Sequence, residues 1–417
     1  MPDAKVDFYG HHSIDEVRLV YRRLAMVLRD EPVRREAALA ATITELNGPS
    51  DELRKFKFSL PDFLRRVLTP AEVAQFAAGT AGRRAHNGRL KMVLPRVSDE
   101  FSLDPEFLDA VLDLEAGPGV PAAGRFFTIG SCFARNITQF LVARGCDAQT
   151  YELAEDLNSP ISNAFLFDLL RKPQAERLAV LMYWLGRIFP GVNEAELTKV
   201  AHRQLAGVDK LTGQIRDADC VIMTLGNVVD FFRDDADAGQ PLMDKIFPKF
   251  VAMAAAGDLG PNANAASRMK KQGASLRLAT HQETCEAIAA CIAGVRSVTS
   301  APIVITLSPV PVDSVIGLAG TARSAIEVDC ISKSRLRSAL DEITPALRLE
   351  QGPIHYFPSF EIVRWIAPML SAPAFGLEDA AARHVSAPIL AAVCGLFLDR
   401  FVKWAPAQTA ATAAASA

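Results

Sequence analysis

The sequence lacks both a long apolar run and an excess of positive charge. No uninterrupted apolar run reaches the roughly 18 residues that a membrane-spanning helix needs, and the first residues lack the basic and apolar regions of a secretory signal peptide. The 45 Lys and Arg residues are outnumbered by 48 Asp and Glu residues, so no basic surface for nucleic acid is indicated. We therefore expect a cytoplasmic protein with no transmembrane segment and no nucleic-acid partner.

Cysteine pairs with metal-ligand or redox spacing are also absent. The seven cysteines are scattered along the chain, and no two of them form a Cys-x-x-Cys motif. An odd number at such spacing indicates neither a disulfide framework nor a zinc cluster. No glycine-rich loop of the kind that cradles phosphates is evident either. We predict that the protein uses no metal and no organic cofactor.

Composition and turn residues divide the chain into three regions. Residues 1–120 read as short helices, with capping boxes at residues 13–16 and 69–72. Buried strands that alternate with helices predict an α/β domain with a parallel sheet over residues 121–405. Within it, residues 257–273 read as a basic loop. Residues 406–417, mainly Ala and Thr, predict a disordered tail.

One stretch combines a buried strand, a sharp turn and a helix. Residues 126–129 are rich in β-formers and lead into Gly130, Ser131 and Cys132, after which apolar residues recur at helical spacing as far as Gly145. Backbone N–H groups and the dipole at a helix N-terminus stabilise negative charge. Ser131 is therefore a candidate nucleophile and Cys132 an alternative one. The competing interpretation is that Ser131 only caps the helix.

Polar residues follow other predicted strands. The strands are residues 147–153, 219–225 and 302–307. Asn158 and Asn163 come after the first of them, and Gly226 and Asn227 directly after the second. Because ligands collect at the carboxyl ends of parallel strands, Gly226 and Asn227 are expected near Ser131. The alternative is ordinary turn chemistry, which Asn also favours.

Several of these segments resemble one protein family. Residues 130–134, Gly-Ser-Cys-Phe-Ala, resemble the signature of the GSCFA family, whose members are distant relatives of the SGNH/GDSL esterases. Further segments resemble blocks of the same family: residues 224–227, 308–311, 329–337 and 356–361. In the block 329–337, Ser332 would be a helix cap. The resemblance implies a three-layer α/β/α domain with a parallel sheet, like the SGNH hydrolases, after the helical N-terminal region.

The resemblance also implies the roles of an acyl-transfer site. Ser131 would be the nucleophile, and His384, which comes last and just before the closing helix, would be the general base. Donors to the oxyanion would be Asn227 and the backbone N–H groups of Ser131 and Cys132. Gly130 and Gly226 would belong to the same oxyanion and substrate site. Asn158 and Asn163 would be substrate contacts.

The pattern departs from these relatives at the carboxylate that should orient the base. SGNH relatives carry an Asp three residues before the His, where this chain has Ala381. Asp379 and Glu378 are close enough to serve instead, and we take Asp379 as the candidate. The alternative is a Ser–His dyad oriented by a backbone carbonyl.

These observations predict a serine esterase or acyltransferase. The substrate would be an O-acyl ester, most simply O-acetyl, of a small molecule, carbohydrate or polysaccharide precursor. One alternative is a non-catalytic glycan-binding or assembly protein, which Ala381 favours. Another is a transferase that uses coenzyme A or an acyl carrier, suggested by basic residues around Arg83 and Lys270. The oligomeric state is left open.

Overall fold

The computed structural model describes residues 117–404 almost completely and a minority of the residues before them. Its gaps in that range are residues 155–156, 238, 260–264, 313, 319–322 and 371–372. The described residues upstream are 24, 27–28, 31–47, 68–72, 103, 107–108, 111–112 and 114. The chain divides into two compact units, residues 1–114 and 115–417. The predicted tail, Arg83 and the capping box at 13–16 lie outside the described residues.

The described part of the first unit contains one long helix and a confirmed capping box. Helix α1 spans Pro32–Asn47. The backbone N–H of Thr69 donates to Glu72 Oε2 at 2.7 Å, and the N–H of Glu72 donates to Thr69 Oγ1 at 3.3 Å. Arg34 of α1 donates to both oxygens of the same carboxylate. These bonds lower the pKa of Glu72 to about 2. The cap therefore also joins α1 to the segment beginning at residue 69.

The second unit alternates strands and helices, as the sequence pattern predicts. The strands are β1 (Val120–Pro121), β2 (Arg125–Gly130), β3 (Asp147–Glu152), β4 (Cys220–Leu225), β5 (Val229–Arg233), β6 (Ala274–Leu278), β7 (Ile303–Leu307), β8 (Ile354–Tyr356) and β9 (Val402–Lys403). The helices are α2 (Cys132–Ala143), α3 (Pro160–Arg171), α4 (Gln174–Ile188), α5 (Glu194–Asp217), α6 (Leu242–Lys245), α7 (Lys249–Asp258), α8 (Ala265–Lys271), α9 (His281–Arg296), α10 (Ala325–Gln351), α11 (Ser359–Glu361) and α12 (Ala387–Phe401).

Five strands form a parallel sheet in the order β3-β2-β4-β7-β8. The chain builds outward from β2 in one direction to β3 and then in the other direction to β4, β7 and β8. The strand order therefore reverses between β2 and β4, which is the point where open α/β sheets bind ligands. Two smaller pairs accompany this sheet, β1 with β9 in parallel and β5 with β6 in antiparallel orientation.

Helices cover both faces of the sheet. Alternate residues of β2, β4 and β7 join one apolar cluster with residues of α3, α4, α5, α7, α9 and α10. On the other face, Thr128 bonds to Thr138 of α2 at 2.5 Å. The ring of Phe397 in α12 meets that of Phe357, just after β8, with centroids 5.2 Å apart. The predicted three-layer α/β/α architecture is confirmed.

Three local predictions are corrected. The predicted loop 257–273 contains α8, whose buried residue is Met269. Ser332 does not cap a helix, because α10 begins earlier, at a capping box formed by Ser324 and Glu327. The sequence predicts a last strand and its loop at residues 355–363, but β8 ends at Tyr356 and the chain turns helical from Ser359, through α11 and then a π-helical turn. Of the helices described, none has the length and apolarity that a membrane span requires.

Candidate functional site

The turn between β2 and α2 depends on a glycine. Gly130 has φ +147°, a conformation that L side chains rarely adopt. A Cβ at this position would lie 1.8 Å from Thr224 Oγ1. The carboxyl ends of β2 and β4 therefore approach each other as closely as they do only because residue 130 lacks a side chain. This close approach defines the edge of the sheet where the predicted site residues meet.

Ser131 occupies the N-cap position of α2, but its hydroxyl does not cap the helix. Its side chain makes no capping hydrogen bond. Instead, Asn158 Nδ2 donates a hydrogen bond to Ser131 Oγ at 3.1 Å. Ser131 is 1% exposed. The capping interpretation of this serine is therefore wrong, and its oxygen is held by a residue that follows the neighbouring strand β3.

Asn158 also organises the loop after β4. Its backbone carbonyl accepts hydrogen bonds from the N–H groups of Gly226 at 3.0 Å and Asn227 at 3.1 Å. Gly226 must be a glycine, since a Cβ would lie 2.7 Å from Asn158 Nδ2. These two hydrogen bonds hold the loop, and they engage the backbone N–H of Gly226. Among the described residues, Asn158 Oδ1 has no hydrogen-bond partner.

A buried lysine that sequence reasoning left unassigned supports the same loop. The ammonium of Lys333 in α10 donates to the carbonyls of Gly226 and of Ser308, which follows β7. Lys333 is buried, and its ammonium group therefore holds together the segments that follow two strands. The only signal for Lys333 in the sequence was its position in the block 329–337. That position does not indicate which carbonyls the lysine binds.

The other two predicted asparagines differ in their placement. Asn227 is buried beside Gly226, and its Oδ1 accepts a hydrogen bond from the N–H of Val229 at 2.9 Å, which forms a local turn. Asn163 lies in the first turn of α3, a helix capped by Ser159. No hydrogen bond joins Asn163 to Ser131, although both are buried and described. The structure thus brings Asn158 to the serine and leaves Asn163 in the helix.

Cys132, the alternative nucleophile, is the first residue of α2 and is half-buried. It directly follows Ser131 at the turn, so both side chains leave the same helix N-terminus. The geometry of the Asn158 amide distinguishes them, because that amide donates to the hydroxyl oxygen of Ser131.

His384 and Asp379 form a hydrogen-bonded pair in the loop before α12. His384 Nδ1 bonds to Asp379 Oδ2, and Asp379 Oδ1 accepts from the N–H of Ala381 at 2.9 Å. The bond to the imidazole is the main cause that lowers the pKa of Asp379. Ala380 between them has φ 58°, an uncommon value for a residue other than glycine. With Nδ1 held by the carboxylate, Nε2 is the nitrogen that can exchange a proton with a substrate or nucleophile.

Topology directs this loop toward the edge of the sheet that carries Ser131. Strand β9 follows α12 directly and pairs with β1, which precedes β2, so α12 ends near the amino edge of the sheet. Helix α12 also packs against α2. Arg383, next to His384, lines a cavity together with Gly226 and Asn227. The His384 side chain is 46% exposed, and no hydrogen bond joins it to Ser131.

One other group of described side chains offers possible metal ligands. His281 Nε2 bonds to Glu342 Oε2 at 2.8 Å, and one ligand atom each from His281, Cys285 and Glu342 lie within 4.8 Å of one another. Burial and the nearby Glu342 charge raise the pKa of the Cys285 thiol, which favours its protonated form. This group is a hydrogen-bonded pair between α9 and α10 with a thiol beside it.

The fold and this edge define an α/β protein with a polar site at the switch point of a parallel sheet. A profile of the GSCFA family matches residues 125–368, which is more than half of the 417 residues, and the chain belongs to the GSCFA family. The matched range includes Ser131, Asn158 and Lys333 and ends before Asp379 and His384. Comparisons with curated proteins and with solved structures found no match.

Proposed function

We propose that the chain is a serine-dependent esterase or acyltransferase that acts on O-acyl esters. Ser131 would be the nucleophile, His384 the general base and Asp379 the residue that orients it. The observation that carries this proposal is the hydrogen bond from Asn158 Nδ2 to Ser131 Oγ at the switch point of the sheet. A serine that only capped α2 would direct its oxygen at the helix backbone instead.

The proposed reaction uses this hydrogen bond in its first step. Because the Asn158 amide donates to a lone pair of Oγ, the hydroxyl proton of Ser131 is left for the Nε2 atom of His384. Oγ then attacks the ester carbonyl, and the imidazolium returns its proton to the leaving alcohol. Water or a second alcohol accepts the acyl group from Ser131 in the next step. Asn158 Nδ2 and the N-terminal N–H groups of α2 are the proposed stabilisers of the oxyanion.

Two finer points of the proposal rest on the resemblance to the SGNH esterases. The first substrates to test are O-acetyl esters of carbohydrates or polysaccharide precursors, because relatives of this fold edit O-acetyl groups on glycans. Hydrolysis is favoured over transfer from coenzyme A or an acyl carrier, since the sequence contains no motif for binding such a donor.

A second candidate function is binding of a glycan ester without catalysis. Two observations favour it: Ser131 is 1% exposed, and no hydrogen bond joins it to His384. In a catalytic site, binding of the ester would have to bring the imidazole and the hydroxyl together. In a binding site, the same Asn158–Ser131 pair would only contact the ligand.

Hydrolysis of p-nitrophenyl acetate separates these candidates. Wild type, Ser131→Ala, His384→Ala, Asp379→Asn and Cys132→Ala are compared, and labelling by a fluorophosphonate is located by mass spectrometry. The proposal expects the label on Ser131, loss of turnover in the first two variants, a smaller loss in Asp379→Asn and retained turnover in Cys132→Ala. A wild-type protein that neither labels nor turns over the ester would favour binding. Loss of turnover only in Cys132→Ala would assign the nucleophile to the thiol.

A further inference from the structure

A cavity of about 560 Å³ opens beside the candidate site. Gly226 and Asn227 form one part of its wall, and Arg383, the neighbour of His384, forms another. This volume lies within the range of about 300–1,000 Å³ that is typical of pockets for small organic ligands. It far exceeds what an acetyl group needs. The cavity is therefore a place where the part of a substrate next to the ester can be bound.

The wall of this cavity is mainly apolar. Its apolar side chains come from the β5–β6 pair, from α7 and α8 and from the segment after β7: Val229, Phe231, Leu276, Met253, Met269, Val310, Val312 and Ile316. Two methionines among them can adapt to ligands of different shape. Such a wall favours an alkyl or acyl chain over a sugar ring, whose hydroxyl groups need hydrogen-bond partners.

Three cationic side chains, Lys249, Lys270 and Arg383, also line the cavity. Lys249 is 6% exposed, so its charge lies within the wall rather than on the surface. No Asp or Glu is among the described residues that line the cavity. The carboxyl of Asp230 lies behind the wall, fully buried and bonded by Ser162 Oγ at 2.6 Å.

The Asp230 carboxyl and the Lys249 ammonium interact electrostatically. Burial is the largest effect on Asp230 and raises the pKa of this carboxyl, while the charge of Lys249 acts in the opposite direction. The described residues that line the cavity therefore carry three cations and no carboxylate.

We propose that this cavity binds the acyl part of an anionic ester, namely an apolar chain longer than acetyl that carries a negatively charged carboxylate or phosphate. The ester carbonyl lies at the end of the cavity formed by Gly226 and Asn227, and the negative group meets the cations. This inference rests on the proposed function for the position of the ester, but the binding of an anionic chain can be measured without any turnover.

The first test is calorimetric titration of the full-length protein with octanoate, octyl phosphate and octanol. We expect both anions to bind about tenfold more tightly than octanol, the size of effect that a hydrogen bond to a charged group gives. The tighter of the two anions identifies the charged group as carboxylate or phosphate. Equal binding of octanol and both anions would refute the role of charge, and absence of binding by all three would refute the site.

Two neighbouring lysines of α8 provide a matched pair of variants. Both side chains are exposed, but only Lys270 lines the cavity. Lys270→Gln should weaken binding of the anions and leave octanol unchanged, and Lys271→Gln should change neither. Ala266→Trp, a change at a solvent-accessible position of the wall, should fill the cavity and abolish binding of all three probes. Equal effects of the two lysine variants would overturn the assignment.

Hydrolysis of two esters, p-nitrophenyl acetate and p-nitrophenyl octanoate, separates this inference from the proposed function. Octanoate binding together with faster turnover of the octanoate ester supports both. Octanoate binding without turnover of either ester supports the cavity and refutes the esterase. Turnover of the acetate ester without octanoate binding supports the esterase and refutes the cavity.

Discussion

The side chain and the backbone of Asn158 have separate roles, and a single substitution can test this. The backbone carbonyl holds the N–H groups of Gly226 and Asn227, and the side-chain amide donates to Ser131. Asn158→Leu keeps the carbonyl and nearly the same side-chain volume but removes the amide. Because the residue is fully buried, solvent cannot replace the lost donor. The loop should keep its conformation while Ser131 loses its contact.

The expected effects on activity and on stability differ in size. Loss of a donor to the developing oxyanion costs about 100- to 1,000-fold in turnover, or about 2.7–4 kcal/mol. For folding, a lost hydrogen bond costs about 0.5–1.5 kcal/mol and an unpaired Ser131 hydroxyl about 1–3 kcal/mol, whereas removal of the unpartnered Oδ1 recovers about 1–3 kcal/mol. With the middle of each range, the free energy of unfolding should therefore fall by about 1 kcal/mol. Adding Ser131→Ala should restore or increase stability.

Ester hydrolysis and urea unfolding are measured on the same preparations. Gln204 is a matched control, since it is also a buried amide with an unpartnered carbonyl oxygen, and its Nε2 donates to the carbonyl of Val251 at 3.1 Å. Gln204→Met should change stability by a comparable amount and leave hydrolysis unchanged. Hydrolysis by folded Asn158→Leu at the wild-type rate would refute the catalytic contact between Asn158 and Ser131.

Two further predictions concern stability. Gly130→Ala should lower the free energy of unfolding by about 3–5 kcal/mol, since its Cβ would meet Thr224 Oγ1 and its φ of +147° is unfavourable. Gly145→Ala, also at positive φ but with open space, should cost only about 1 kcal/mol in urea unfolding, and equal losses would contradict the steric argument. Although burial raises the pKa of Glu283, hydrogen bonds from Arg277 and from a backbone N–H lower it from 4.5 to about 2. Glu283→Gln should therefore cost up to about 3 kcal/mol at pH 7, and the difference from wild type should shrink as the pH falls from about 4.5 to about 2; a pH-independent difference in unfolding midpoints would rule this out.

Local patterns in the sequence determined the architecture and part of the site. The apolar run 219–225 and the β-formers at 126–129 predict buried strands, because a strand covered on both faces is almost entirely apolar and these runs have strand length. Parallel strands place their carboxyl ends at one edge, so the sequence could also predict that Ser131 and Asn227 gather there. These inferences need only periodicity and chain order.

Other local signals were present but were assigned wrongly. The capping box of Ser324 and Glu327, which starts α10, is readable in the sequence, yet the resemblance of residues 329–337 to a helix start pointed to Ser332. Strands β5 and β6 are five residues each and 40 residues apart, and only their pairing stabilises them as strands. Short elements of this kind carry too little periodicity to be predicted singly.

Only the tertiary structure decided which polar groups meet. Ser131 reads equally well as a cap, and the amide of Asn158, 27 residues later, is what distinguishes the two roles. Lys333 reaches Gly226, 107 residues earlier, and Asp379 reaches His384 because the loop between them turns back at Ala380. Such contacts depend on the positions of whole strands and loops, and residue spacing along the chain does not specify those positions. The physical reason is that a side chain's partners are set by packing in three dimensions, whereas periodicity records only which side of an element is buried.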